Sequence, residues 1–160
     1  MIELEKVLKY KNEDVVHRFA EDFGVSETDS QEIFQETLKW LWLCALQMEG
    51  AEQQGIPVVE IPLLSEANII DLMWHTFILF TSDYAHFCES HFSTFIHHMP
   101  QTHLEKKQWQ KKRAEDPEAA IAERQALVYA AYGLIYDTLG PQTLVKWVEE
   151  FPSRFNSISG

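Results

Sequence analysis

The apolar residues of this chain recur mostly at every third or fourth position, which is the spacing typical of an amphipathic α-helix. Residues that end or begin helices separate these stretches. Gly24 and Gly140 stand where helices should end, and Asp116-Pro117 stands where one should begin. The pattern predicts an all-α fold: an irregular bundle of six or seven helices that forms a single domain over residues 1–160.

Residues that typically cap or end helices give approximate bounds for each predicted helix. A first helix or helix pair covers about 3–23, and the next is opened by a Thr28/Gln31 capping box and ended near Met48 by Gly50. One helix over about 66–80 is capped by Ser65, and another over about 83–98 is capped by Ser82 and ended by Pro100. A long helix runs from Pro117 to about Leu139, and a short last one runs through Trp147 and Val148. The stretch Trp40–Leu46 is apolar on nearly every side, which predicts a helix at the centre of the bundle. Ile56–Ile61, with Pro57 and Pro62, is the one stretch with strand character.

The charge balance bears on partners and compartment. A net charge of −12 should repel phosphate, so we expect neither nucleic acid nor an anionic membrane as a partner. Five basic residues within Lys106–Arg113 predict a solvated helix or connector and not a binding patch, since Trp109 is the only aromatic residue among them that could stack on bases. The longest apolar run is too short to span a bilayer, and the charged N-terminus lacks a signal-peptide pattern. We therefore expect a cytoplasmic protein with Cys44 and Cys88 reduced.

Residues 69–80 contain the first candidate functional residues, a carboxylate and a histidine. Nine of these twelve residues are large and apolar, which predicts a mostly buried helix. Asp71 and His75 lie four residues apart on it, so their side chains should meet on one face. A buried carboxylate needs a partner, and a carboxylate beside a histidine is also the arrangement that orients a metal-binding imidazole.

The next predicted helix adds further ligand types on its inward face. Those residues are Tyr84, Phe87, Cys88, His91, Phe92, Phe95 and His98, whereas His86 and His97 should face solvent. Two helices joined by a tight turn pack roughly antiparallel, so His75 and Cys88 should point into a common interior space. Asp71, His75, Cys88, His91 and His98 are therefore candidate ligands of zinc or iron, with Tyr84 behind them.

A purely structural interpretation of the same residues stays open. His75 would be a core histidine bonded to Asp71 or Tyr84, Cys88 a small core residue, and His98 a cap for carbonyl groups at a helix end.

The run Ile69–Pro100 resembles the signature of the glycine-rich domain-containing protein-like family. The matching residues are Asp71, Trp74-His75, Tyr84, Cys88, Phe92 and His97-His98 before Pro100. Phe77 stands where many members have a second histidine, and Ser93 stands where the family has a glycine. The resemblance implies that the cluster is a shared feature, and it assigns no activity. The RNA-recognition segments of long members have no counterpart here.

Three functions remain open at this point. The chain is expected to be an interaction module for a protein partner or a ligand-binding module built on the Asp/His/Cys cluster. A second interpretation is a zinc- or iron-binding protein. A third, an enzyme, would use His75 as a base or Cys88 as a nucleophile. The sequence lacks a Gly-rich phosphate loop and a nucleophile elbow, which argues against the common kinases, dinucleotide enzymes and hydrolases.

Overall fold

The computed structural model describes residues 3–55 and 64–158, and over these residues the fold is all-α. The helices form eight stretches, close to the six or seven predicted. They are α1 (Leu4–Val7), α2 (Glu13–Phe23), α3 (Glu27–Gln54), α4 (Asn68–Leu79) preceded by a 3-10 turn (Ser65–Ala67), α5 (Thr81–Phe92), α6 (His103–Glu115), α7 (Pro117–Leu139), and a continuous C-terminal stretch of α8 (Pro141–Val145), a π-helical segment (Lys146–Glu150) and α9 (Phe151–Phe155). The predicted strand Ile56–Ile61 and its prolines lie outside the described residues.

Helix α3 is the centre of the bundle, as its apolar stretch predicts. It packs against α1, α2, α4 and α7. The side chains of Trp40, Leu41 and Leu43 are buried. The indole of Trp147, from the π-helical segment, meets Trp40 edge-on and donates a hydrogen bond to the buried carboxylate of Glu36 at 2.9 Å. The C-terminal stretch is thus fastened to the middle of α3.

Several helix ends fall where the sequence predicts them. Gly24 adopts the left-handed conformation after α2, with φ of 65°. The Asp116 side chain accepts a hydrogen bond from the Ala119 amide at the start of α7, and Gly140 follows its last residue.

Other ends differ from the prediction. Helix α3 begins after Ser26, whose hydroxyl accepts from the Asp29 amide, so the Thr28/Gln31 capping box is wrong. The same helix continues through Gly50 to Gly55, where φ of 64° ends it. Glycine inside a helix costs only about 1 kcal/mol, and the buried face of α3 outweighs that cost. Ser82 is not a cap either, because α5 begins at Thr81.

The largest difference lies at the end of α5, and it changes the position of His98. The sequence predicts a helix to about His98, but α5 ends at Phe92. Ser93 takes the left-handed conformation, with φ of 54°, and its amide donates to the Glu89 carbonyl. Residues 93–102 then run without helix and fold back across α4.

Candidate metal centre

Asp71 and His75 lie one turn apart on α4, as their spacing predicts. The Oδ2 atom of Asp71 is 3.3 Å from Nδ1 of His75. The expectation that this pair is buried is wrong: the His75 side chain is 57% exposed and that of Asp71 is 24% exposed. Helix α4 buries the face that carries Ile70, Met73 and Phe77, which leaves Asp71 and His75 at the rim of the core.

His98 reaches the same carboxylate from a different part of the chain. Its Nε2 atom lies 2.8 Å from Oδ1 of Asp71, so each carboxylate oxygen faces one imidazole. The sequence predicts His98 on the inner face of a helix. That placement is wrong, because the helix ends at Phe92 and the chain turns away at Ser93. The turn brings His98 back over α4 and leaves it only partly exposed.

Three rings are stacked beside the carboxylate. The imidazole of His98 lies between the indole of Trp74, 4.1 Å away, and the imidazole of His75, 4.4 Å away, with 27° between the planes in each pair. Trp74 is buried, so it forms a fixed floor for His98. The stack restricts His98 to a narrow range of positions next to Asp71.

A buried hydrogen-bonded chain supports this arrangement from below. The indole N–H of Trp74 donates to the Tyr84 hydroxyl at 2.9 Å, and that hydroxyl donates to the Ile96 carbonyl at 2.6 Å. All three residues are buried. Burial raises the pKa of Tyr84 far above its ordinary value, so the hydroxyl remains a donor. Tyr84 therefore fixes the segment that carries His98 to α4.

Cys88 lies in the hydrophobic core and is not among the donors that converge on Asp71. Its side chain is fully buried, whereas His75 is mostly exposed, so the expected common interior space for these two residues does not exist. Burial raises the pKa of the Cys88 thiol, although the Ile96 backbone and Tyr84 hydroxyl oppose the shift. A protonated, enclosed thiol is a poor metal ligand and a poor nucleophile.

His91 and His97 also stay out of the cluster. The ring of His91 packs on Phe87 and Tyr10, and its Nδ1 donates to the Phe87 carbonyl oxygen at 2.9 Å. His97 is exposed, as predicted, and packs on Phe95.

The donor atoms that do converge belong to Asp71, His75 and His98. One ligand atom from each can be chosen so that all three atoms lie within 4.8 Å of one another. Two imidazoles and one carboxylate are a ligand set of catalytic zinc sites and of non-haem iron(II) sites. The chemistry of the set and its partial exposure both fit an ion that also binds water or a small ligand.

The fold and this cluster define an all-α protein with a surface group of one carboxylate and two imidazoles. The chain belongs to the UCP032817-like family, whose model matches residues 12–115 and so includes Asp71, His75 and His98. This match overturns the resemblance to the glycine-rich domain-containing protein-like family, which is a different family. No curated protein and no solved structure matches the chain.

No helix among the described residues is both long enough and apolar enough to cross a membrane.

Proposed function

We propose that this protein is a metal-binding domain in which Asp71, His75 and His98 hold one divalent transition-metal ion, zinc or iron(II). The observation that carries the proposal is the convergence of donors from two separate segments, α4 and the turn after α5. His98 is 27 residues from Asp71 in the sequence, yet its Nε2 lies 2.8 Å from the carboxylate. Helix periodicity alone accounts for Asp71 and His75, but not for His98.

Three protein ligands leave at least one coordination position for water or a small molecule. The exposed side of His75 puts that position at the surface, where a ligand can reach it. Helix α4 and the Trp74 stack hold the other two donors against the core. The proposal is consistent with the expected cytoplasmic compartment, where a reducing environment keeps iron ferrous and cysteine thiols reduced.

A competing interpretation treats the cluster as a clamp without metal. In that case the Asp71–His98 contact alone fastens residues 93–102 to α4. His75 separates the two interpretations because it is exposed and adds little to a clamp, whereas metal binding needs it as a ligand.

The first experiment is elemental analysis of protein purified without a histidine tag, followed by calorimetric zinc titration of the metal-free chain. We expect one zinc per chain. His75→Ala should weaken zinc binding roughly a hundredfold or more, since even mutations that only reorient a metal ligand cost about 10–100-fold. Its unfolding free energy without metal should fall by no more than about 1 kcal/mol, because the side chain is mostly exposed and loses only its contacts with His98 and Asp71.

The matched control is His97→Ala, which removes an exposed imidazole beside His98 but outside the cluster. It should bind zinc like the wild type. Equal zinc affinity for the His75 variant and the wild type would leave only the clamp, and so would the absence of stoichiometric binding.

A further inference from the structure

A second concave site lies away from the Asp71 cluster, between α6, α7 and the 3-10 turn before α4. Its volume is about 610 Å³, within the range of small-molecule pockets in proteins. The walls combine aromatic rings with charged groups, contributed by Trp109, Arg113, Arg124, Tyr129, Tyr132 and Glu66.

Aromatic surface on opposite helices lines this cavity. Trp109 comes from α6, whereas Tyr129 and Tyr132 lie three residues apart on α7 with their rings 6.4 Å apart. Tyr129 is 68% exposed, and Ile121 beside the cavity is also exposed. One exposed ring and two half-buried rings around a single cavity are suited to stacking on a planar guest.

The two arginines that line the cavity differ in their ion pairing from the other two arginines of the chain. Arg18 and Arg154 form ion pairs with carboxylates. Arg113 and Arg124, the other two arginines of the chain, have no ion pair with any residue in 3–55 or 64–158, and both line the cavity. In a chain with 25 acidic residues, two unpaired guanidinium groups at one site match an external anion.

Among the described residues, Glu66 is the carboxylate that lines the cavity. It accepts a hydrogen bond from its neighbour, the Ser65 hydroxyl, at 3.1 Å. Burial raises the pKa of Tyr132, and the charge of Glu66 adds to that shift, so the phenol stays protonated as a donor. Glu66 can accept from N–H groups on a heteroaromatic ring while the guanidinium groups bind the anion.

We propose that this cavity binds a small planar aromatic anion, a ring joined to a phosphate or carboxylate group. The ring stacks among Trp109, Tyr129 and Tyr132, and the anionic group binds Arg113 and Arg124. A mononucleotide and an aryl carboxylic acid share this chemistry. The basic run of α6, predicted from the sequence to be a solvated face, then supplies one wall of a binding site.

The test uses 8-anilinonaphthalene-1-sulfonate, an aromatic sulfonate whose fluorescence rises on binding. We expect one saturable site in the folded protein. The double variant Arg113→Gln/Arg124→Gln should bind the dye at least about tenfold more weakly, as two charge-assisted hydrogen bonds are lost. The control Lys106→Gln/Lys107→Gln also removes two positive charges, both from positions of α6 outside the cavity lining. It should bind the dye like the wild type.

The aromatic wall has its own matched pair. Tyr129→Leu should weaken dye binding, whereas Tyr136→Leu, which alters an exposed tyrosine further along α7 outside the lining, should not. All substitutions are at exposed positions, so circular dichroism should show an unchanged fold.

Competition then identifies the source of the ligand. Displacement of the dye by adenosine 5′-monophosphate supports a nucleotide, and displacement by indole-3-carboxylate supports an aryl acid. Adenosine, indole and inorganic phosphate should each compete far less well than these anions. Three results would overturn the proposal: no saturable dye binding, an equal loss in the lysine and arginine variants, or displacement by phosphate as effective as by the ring-bearing anions.

Discussion

Asp71 divides its two carboxylate oxygens between partners that lie far apart in the sequence. One oxygen faces His75 on the same helix, and the other faces His98 after α5. The spacing of four residues predicts the first contact. The second depends on the direction the chain takes after Phe92, and no residue in α4 reveals that direction.

Tyr84 illustrates a residue whose role depends on being enclosed. Tyr84→Phe removes the hydroxyl that joins the Trp74 indole to the Ile96 carbonyl, leaving a donor and an acceptor buried without a partner. We expect the unfolding free energy to fall by about 1–3 kcal/mol in urea titrations. Zinc affinity should also fall, since His98 lies on the segment that this hydroxyl holds.

Tyr136→Phe is the control for this prediction, because the Tyr136 ring is exposed on α7. It should change stability by less than about 0.5 kcal/mol. Equal effects from the two substitutions would mean that the hydroxyl of Tyr84 is hydrated instead of bonded to Ile96.

At the scale of elements, the end of α5 decides whether the cluster can form. Ser93 holds φ of 54°, a conformation that costs a residue with a Cβ roughly 1–2 kcal/mol relative to glycine. A helix continued to His98 would carry that imidazole away along α5. Position 93 is therefore a helix end, where a glycine would not carry this cost.

Ser93→Gly should stabilise the protein by about 0.5–1 kcal/mol, after allowing for the greater freedom of glycine in the unfolded chain. The same substitution at Ser90, inside α5, should destabilise it by about 0.5 kcal/mol, because glycine is the poorer helix former. Urea unfolding of both variants measures the difference. Changes of the same sign would contradict the left-handed conformation at residue 93.

Helix bounds could be predicted where side chains set them locally. Asp116, Pro117 and Gly140 mark both ends of α7, and the structure agrees. Gly50 misleads because burial of neighbouring residues carries α3 past it to Gly55. Ser93 gives no signal, because its conformation is imposed by the tertiary contacts of the residues that follow it.

At the scale of the whole molecule, ion pairs join the first half of α3 to the C-terminal stretch. Arg154 contacts both Asp29 and Glu32 at 2.8 Å, and Lys146 contacts Glu32 at 2.8 Å. The hydrogen bond from Arg154 holds the pKa of Glu32 below its ordinary 4.5, and Lys146 adds to the effect against the opposing influence of partial burial.

A carboxylate with a lowered pKa in the folded chain stabilises the fold above its unfolded pKa and loses that contribution as the pH falls. Glu32→Gln should therefore reduce stability by less than about 1 kcal/mol near neutral pH, because the pair is partly exposed. The difference from the wild type should be present above the ordinary pKa of 4.5 and should shrink as the pH falls below it. Denaturant titrations on both sides of that pH measure it.

Glu52→Gln, an exposed position of α3 outside the ion-pair network, is the control and should track the wild type at every pH. A Glu32 difference that grows on acidification would contradict the assignment of these contacts.

The two sites differ in how far the sequence could predict them. Helix spacing predicts Asp71 and His75 as site residues. The residue type of His98 also marks it as a candidate, although the sequence wrongly places it on a helix. The cavity could not be predicted from the sequence, because Tyr129 and Tyr132 lie on α7 and come close to the basic helix α6 only in the folded chain. Helical phase correctly predicts that the Cys88 side chain points inward. It does not predict which residues face that side chain, so the expected meeting with His75 was wrong.

The most direct measurement is X-ray diffraction at the zinc absorption edge from crystals of the metal-loaded protein. We expect one anomalous peak per chain, about 2.0–2.2 Å from a carboxylate oxygen of Asp71 and from one ring nitrogen each of His75 and His98. A strong peak on other residues, or none at saturating zinc, would contradict the proposed metal site.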